Sequence, residues 1–240
     1  MLIFNHSIPE IGYYSRTATR GKELDMVNCY IQYLSKYYER YKTKKAAVFL
    51  EPLIESGYPD IVIVEYTDIS NDIWNDFRNK LSIKDLKILY HIQNMRISSK
   101  GDIIELLGYS KKETDDAINS LLACKLVQVY KNGKIKSIPL NRYCRINKLI
   151  AIEAKIDKWQ AALKQAQYNS WFSTESFVML NRSSYKKETA EICKSYGIGI
   201  ILVNGKIIHA MESERRAFPV SYASLMFNEY IQRFDHLGGK

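Results

Sequence analysis

The stretch Leu149-Ile-Ala-Ile-Glu-Ala-Lys-Ile-Asp-Lys-Trp-Gln-Ala-Ala-Leu-Lys-Gln-Ala-Gln-Tyr168 constrains this chain more than any other. Leu149 to Ala154 is a short apolar run containing Ile150 and Ile152, rich in the β-branched residues that suit a buried strand. Glu153 and Lys155 end that run. Side chains two apart on a strand share a face, so a carboxylate and an ammonium arrive together at the strand's end. The periodicity then turns helical, with Trp159, Ala162, Leu163 and Ala166 at the three- and four-residue spacings of a buried stripe. By itself Glu-x-Lys has a bland reading, a surface ion pair worth well under ~1 kcal/mol. Only its surroundings can separate that from a site.

With 240 residues and 46% hydrophobic content, the chain fits one large domain or one domain carrying an inserted module. Gly21 to Tyr41 reads as an amphipathic helix with Leu24, Val27, Ile31, Leu34 and Tyr38 on one stripe and Glu23 in its first turn. Ala46 to Glu51 reads as a strand that Pro52 stops. After the turn signal Ser56-Gly-Tyr-Pro59, Asp60 to Tyr66 is apolar on both faces, as a central strand would be. Ser176 to Leu180 reads as a further strand, Ser184 to Tyr196 as a helix and Gly197 to Val203 as a buried strand. Asn204-Gly205 turns a hairpin into Lys206 to His209, and a helix from Ser221 to Phe234 closes the domain. Gly197 and Gly199 begin a strand rather than follow one, so close packing explains them better than a nucleotide loop.

Helix, strand, strand beginning Pro59-Asp60, strand ending Glu153-Ala154-Lys155, helix, strand: in these elements and motifs the chain resembles the PD-(D/E)XK nuclease superfamily. The resemblance covers Gly21 to Leu180, less an insertion. It implies an α/β fold, a restriction-endonuclease-like mixed sheet flanked by helices, with a discontinuous core over residues 1–70 and 148–240. It also implies metal-dependent hydrolysis of DNA phosphodiester bonds, of restriction or anti-invader type, with Mg²⁺ or Mn²⁺ as cofactor. Asp60 and Glu153 would supply carboxylate ligands and the Ala154 carbonyl a third, as a hard cation requires. Lys155 would orient the attacking water and offset transition-state charge. Family members draw a further ligand from the first helix or the following strand, and help from a Gln on the later helix. Glu23, Glu51 and Gln165 are the matching positions here. Glu51 also reads as a cap of the turn at Pro52, Gln165 as a solvent-facing residue, and Trp159 and Tyr168 as core.

Asn71 to Asn147 is far too long for one strand connection. Inside it, Ser82-Ile-Lys-Asp85 opens a helix with the stripe Ile83, Leu86, Leu89 and Ile92, and Ser99 to Leu107 gives a second. Ser110-Lys-Lys-Glu113 is a capping box that starts a third, burying Ala117, Ile118, Leu121 and Leu122. Leu126 to Tyr130 and Ile135 to Ile138 flank an Asn-Gly hairpin. That order resembles a winged helix-turn-helix, here an inserted lobe over residues 71–147, and the resemblance implies DNA contact through the third helix and the wing. Leu81 to Leu140 holds ten Lys and Arg against six Asp and Glu, and Lys111, Lys112, Lys131, Lys134 and Lys136 are the candidate phosphate contacts. Asp115 and Asp116 on the third helix oppose phosphates, and winged helices also serve as protein-docking modules.

The whole chain carries a formal charge of +9, which suits a polyanion, nucleic acid or an anionic membrane. No apolar run approaches the ~20 residues that span a bilayer, and Met1-Leu-Ile-Phe-Asn-His lacks the features of a secretory signal. Cys29, Cys124, Cys144 and Cys193 are scattered without metal-site spacing, as in a reducing compartment. These features predict a cytoplasmic, non-membrane protein whose partner is DNA; cutting both strands would call for a homodimer. His6, His91, His209 and His236 form no nucleophile motif. The alternative function is a non-catalytic DNA-binding regulator that keeps the nuclease-like scaffold.

Overall fold

The computed structural model describes residues 1–17, 21–41, 43–67 and 74–239. In chain order the elements are β1 (Leu2–Phe4), α1 (Lys22–Arg40), β2 (Lys45–Leu50), β3 (Ile61–Tyr66), α2 (Ile83–Met95), β4 (Ser98–Ser99), α3 (Lys100–Leu107), α4 (Lys111–Ala123), β5 (Val127–Val129) and β6 (Lys134–Ser137). They continue as β7 (Ile146–Lys155), α5 (Trp159–Asn169), β8 (Glu175–Leu180), α6 (Lys187–Ser195), β9 (Gly199–Val203), β10 (Ile207–Met211) and α7 (Tyr222–His236). They gather in two compact units, residues 1–67 with 146–220 and residues 68–145 with 221–240. The expected boundary at Asn71 falls outside the described residues.

The first unit is α/β, a seven-stranded mixed sheet in the order β1-β2-β3-β7-β8-β9-β10. β7 is the middle strand, antiparallel to β3 and parallel to β8. Strand alternation sorts its residues onto two faces. Phe177, Met179, Ile201 and Val203 join Val48, Ile61, Ile63, Ile152 and Ala154 under the α1 stripe of Met26, Val27, Tyr30, Leu34 and Tyr38. Val178, Leu180, Ile200 and Leu202 point the other way, onto Ala162, Leu163 and Ala166 of α5 and Cys193 of α6. β1, a short edge strand parallel to β2, has no counterpart in the sequence reading. Gly199 sits where a Cβ would come within 2.3 Å of the Phe177 ring, so close packing accounts for that glycine.

In the second unit β4, β6 and β5 form a small antiparallel sheet beside α2, α3 and α4. Ser110 and Glu113 cap α4 reciprocally, and Ser82 with Asp85 and Ser99 with Asp102 do the same for α2 and α3. Gly133, at φ 75°, makes the turn between β5 and β6. Residues 221–240, assigned by the sequence boundary to the core, instead belong here, with α7 packed on α2. The reason lies in the polar residues α7 buries: Asn228, Glu229, Gln232 and Arg233 need polar partners that an apolar sheet cannot supply. They find them around Arg78, which is 1% exposed. Its guanidinium bonds Glu229 at 2.5 and 3.2 Å, Gln232 at 3.3 Å and the Tyr143 carbonyl at 3.3 Å. Among the described residues no helix is long and apolar enough to cross a membrane.

Candidate active site

β3 and β7 carry two carboxyl groups to one point. Ile61 pairs with Ile152 across the antiparallel ladder, so Asp60, one residue ahead, stands opposite Glu153, one residue beyond. Asp60 Oδ2 accepts the Ala154 amide at 2.7 Å, which locks the carboxyl to the neighbouring strand. Glu153 is 2% exposed. Its Oε1 accepts from Asn169 Nδ2 at 2.6 Å, while Oε2 is buried without a hydrogen-bond partner. Burial first, and then the neighbouring Asp60 carboxyl, pushes Glu153 up to about 8. Burial also raises Asp60, against the pull of Lys155 and the Ala154 amide. Two carboxyls this close and this dry resist ionising together unless a proton is shared or a cation arrives.

Lys155 belongs to the same cluster. Its Nζ donates to the Ala154 carbonyl at 3.0 Å and lies 3.4 Å from Glu23 Oε2 and 3.8 Å from Asp60 Oδ2. Glu23, in the first turn of α1, is thereby drawn to the strand ends, and its side chain remains 45% exposed. Glu51 follows β2 at φ 45°, a left-handed conformation that costs a non-glycine residue about 1 kcal/mol or more. The surroundings hold it there: its N–H donates to the Asp60 carbonyl at 3.1 Å and its own carbonyl accepts the Arg16 N–H at 3.0 Å. Its carboxylate is paired with the Arg16 guanidinium. Glu23, Glu51, Asp60 and Ala154, with Leu24, Val27 and Leu50, line a cavity of about 20 Å³, enough for one water or a small ion.

Of the positions read from sequence, Asp60, Glu153, Ala154, Lys155, Glu23 and Glu51 therefore come together. Gln165 does not. It is exposed on α5, and the residue of that helix that reaches the cluster is Asn169, one turn later. Sequence reasoning misses Asn169, although the buried stripe Ala162, Ala166 extends to it at helical spacing. Arg16, the partner of Glu51, has no sequence signal. Trp159 packs partly buried beside α5's apolar face, but Tyr168, expected in the core, is 56% exposed because it falls on the opposite side of the helix.

The lysines of the second unit are distributed as a solvent-facing set: Lys111 and Lys112 in the first turn of α4, Lys131 and Lys136 around the β5–β6 turn, with Lys134 half-buried. Asp115 is paired with Lys100, and Glu113 lies 2.6 Å from Lys84, so part of the acidic character of α4 is neutralised within the unit. No protein-family model matches the chain, and none of the curated proteins compared with it matches either.

Proposed function

We propose that this protein is a metal-dependent DNA endonuclease, of restriction or anti-invader type. In this reading the first unit is a PD-(D/E)XK core with a restriction-endonuclease-like sheet. The inserted lobe read from the sequence over residues 71–147 is, by its elements α2 to α4 and β4 to β6, a winged helix-turn-helix that grips DNA through α4 and the β5–β6 wing. The observation that carries the proposal is the buried pair Asp60 and Glu153 with Lys155 beside it, one carboxylate oxygen left without a hydrogen-bond partner. Burying two like charges is costly, and a chain without use for them would keep neutral side chains there.

The donors fit a hard cation such as Mg²⁺ or Mn²⁺. Among the described residues no three His, Cys, Asp or Glu side chains stand in mutual ligating positions, but Mg²⁺ commonly takes one or two carboxylates and completes its shell from water and substrate phosphate. Asp60, Glu153 and the Ala154 carbonyl would hold it; Asp60 and Ala154 line the small cavity together with Glu23 and Glu51, and Glu153 stands opposite Asp60 on the neighbouring strand. When bound, such an ion supplies Lewis acidity toward the phosphate and toward the attacking water. Lys155, whose ammonium stands beside Asp60, would offset the negative charge that grows on the phosphate, and Asn169 holds the Glu153 carboxyl by its hydrogen bond.

One observation favours a second reading. Glu153 is held high enough to keep a proton near neutral pH, so the pair could persist as a proton-sharing dyad in a regulator that binds DNA and cuts nothing. Plasmid cleavage with and without Mg²⁺, run on the wild type, Asp60→Asn, Glu153→Gln and Lys155→Ala, decides between them. The endonuclease reading expects the carboxyl variants to lose metal uptake and cleavage, and Lys155→Ala to lose turnover while it keeps DNA affinity. Tight DNA binding without divalent-ion uptake or cleavage by the wild type would install the regulator instead.

A further inference from the structure

α1 carries a second row of side chains besides the stripe that it buries. Tyr33, Tyr37 and Tyr41 follow one another at four-residue spacing; Tyr33 is 36% and Tyr41 51% exposed, and Tyr37 is half-buried between them. Tyr33 and Tyr37 have ring centroids 6.5 Å apart with planes 28° apart, and Tyr37 and Tyr41 have centroids 4.8 Å apart. Lys44 Nζ lies 5.6 Å from the centroids of both Tyr37 and Tyr41 and donates to Tyr37 Oη at 3.2 Å. Lys36 and Arg40, on adjoining turns, are exposed. The nearby Glu65 carboxylate accepts from Tyr38 Oη at 2.8 Å.

Tyr33 stacks on the buried Tyr30, with centroids 5.9 Å apart, so the row is joined at one end to the anchored stripe and is exposed at the other. The exposed rings, with Lys44 over Tyr37 and Tyr41 and with Lys36 and Arg40 exposed on the same helix, match a ligand that is planar in parts and anionic throughout. Unpaired nucleobases stack on such rings, and the phosphates joining them meet the ammonium and guanidinium groups. We propose that Tyr33, Tyr37 and Tyr41, with Lys44, form a stacking platform for single-stranded DNA. This deepens the endonuclease reading, on which the choice of DNA rests. Glu23 sits on the same helix about 15 Å before Tyr33, at 1.5 Å of rise per residue. A strand unpaired at the carboxyl cluster can run along α1 onto the rings.

The test is fluorescence anisotropy of a labelled oligothymidylate of about 15 nucleotides, in EDTA so that cleavage plays no part. Tyr33→Ala, Tyr37→Ala and Tyr41→Ala are each expected to weaken binding roughly 10-fold, and the matching Phe variants to stay within about 3-fold of wild type, since stacking needs the ring and not the hydroxyl. Lys44→Gln is expected to flatten the log K against log salt slope by about 0.7, the single-strand value for one phosphate. Alanine variants that bind as wild type does would overturn the platform, as would an absence of oligothymidylate binding. Tighter binding of an oligouridylate of the same length would overturn the assignment to DNA. A protein that binds in EDTA but never cleaves keeps the platform and loses the nuclease; one that cleaves duplex but ignores the single strand does the reverse.

Discussion

Asn169 Nδ2 donates to Glu153 Oε1 at 2.6 Å, joining the last residue of α5 to a carboxyl near the end of β7. The amide is the donor that favours the ionised form of a group that burial and Asp60 both drive toward protonation. Asn169→Ala is therefore expected to raise the Glu153 pKa further and, if the pair holds Mg²⁺, to move the pH at which the ion is taken up in the alkaline direction. Gln165→Ala, on the exposed side of the same helix, should leave that profile unchanged. Calorimetric Mg²⁺ titrations at several pH values compare the two.

The carboxyl pair also sets a sign for the pH dependence of stability. Glu153 has a folded pKa above its unfolded value, so the folded chain holds more protons and stability falls as pH rises from about 4.5 to about 8. Thermal denaturation in chelator should show this fall, and Glu153→Gln should remove about 1 kcal/mol or more of it, since each pKa unit is worth 1.36 kcal/mol. If the pair holds a cation, added Mg²⁺ should restore most of the lost stability at the alkaline end, where the carboxylates are free of protons.

In the second unit, Arg78 and Glu229 are 1% and 2% exposed and bonded to each other twice. Glu229→Ala strands a buried guanidinium and should cost about 3–5 kcal/mol. Replacing both together, Arg78→Met with Glu229→Leu, should cost markedly less. Hydrogen exchange of the α2 and α7 amides reads the effect locally.

If the β5–β6 turn grips duplex phosphates, Lys131→Ala, Lys134→Ala and Lys136→Ala combined should weaken binding to all sequences alike. The log K against log salt slope should flatten by about 2 to 3, near 0.9 for each phosphate no longer neutralised. An unaltered slope would place the DNA on another surface.

Much of the first unit is legible because its strands bury both faces: continuous apolar runs at Ala46, Ile61, Leu149 and Ser176 mark them without competing periodicity. The acidic pair is legible because Asp60 and Glu153 stand at the ends of two such runs. Asn169 is hidden because a polar residue at the end of the stripe Ala162, Ala166 reads as the place where the apolar face stops; Gln165, one turn earlier, lies at the edge of that stripe and is exposed, whereas Asn169 is 4% exposed. Arg16 is hidden for another reason, since its pairing with Glu51 joins segments 35 residues apart through a loop that has no periodicity to read. The caps at Ser82 and Ser99 use Asp where Glu is the commoner partner, so only the box at Ser110 stands out in the sequence. The placement of α7 is illegible because its apolar positions suit either unit, and its polar positions declare their partners only in three dimensions.

The interleaving of the two units has a consequence in time. Neither is a continuous stretch of chain, and the bonds that complete each arrive late: Asp60 waits 94 residues for the Ala154 amide, and Arg78 waits 151 for Glu229. At 5–20 residues per second of synthesis, the second delay is roughly 8–30 s. Arg78 thus still waits for Glu229 well after the Ala154 amide that Asp60 needs has been made. Arg16, Glu51 and Asp60 all precede β7 in the chain, so β7, on entering the sheet, completes a carboxyl cluster whose first half is already made.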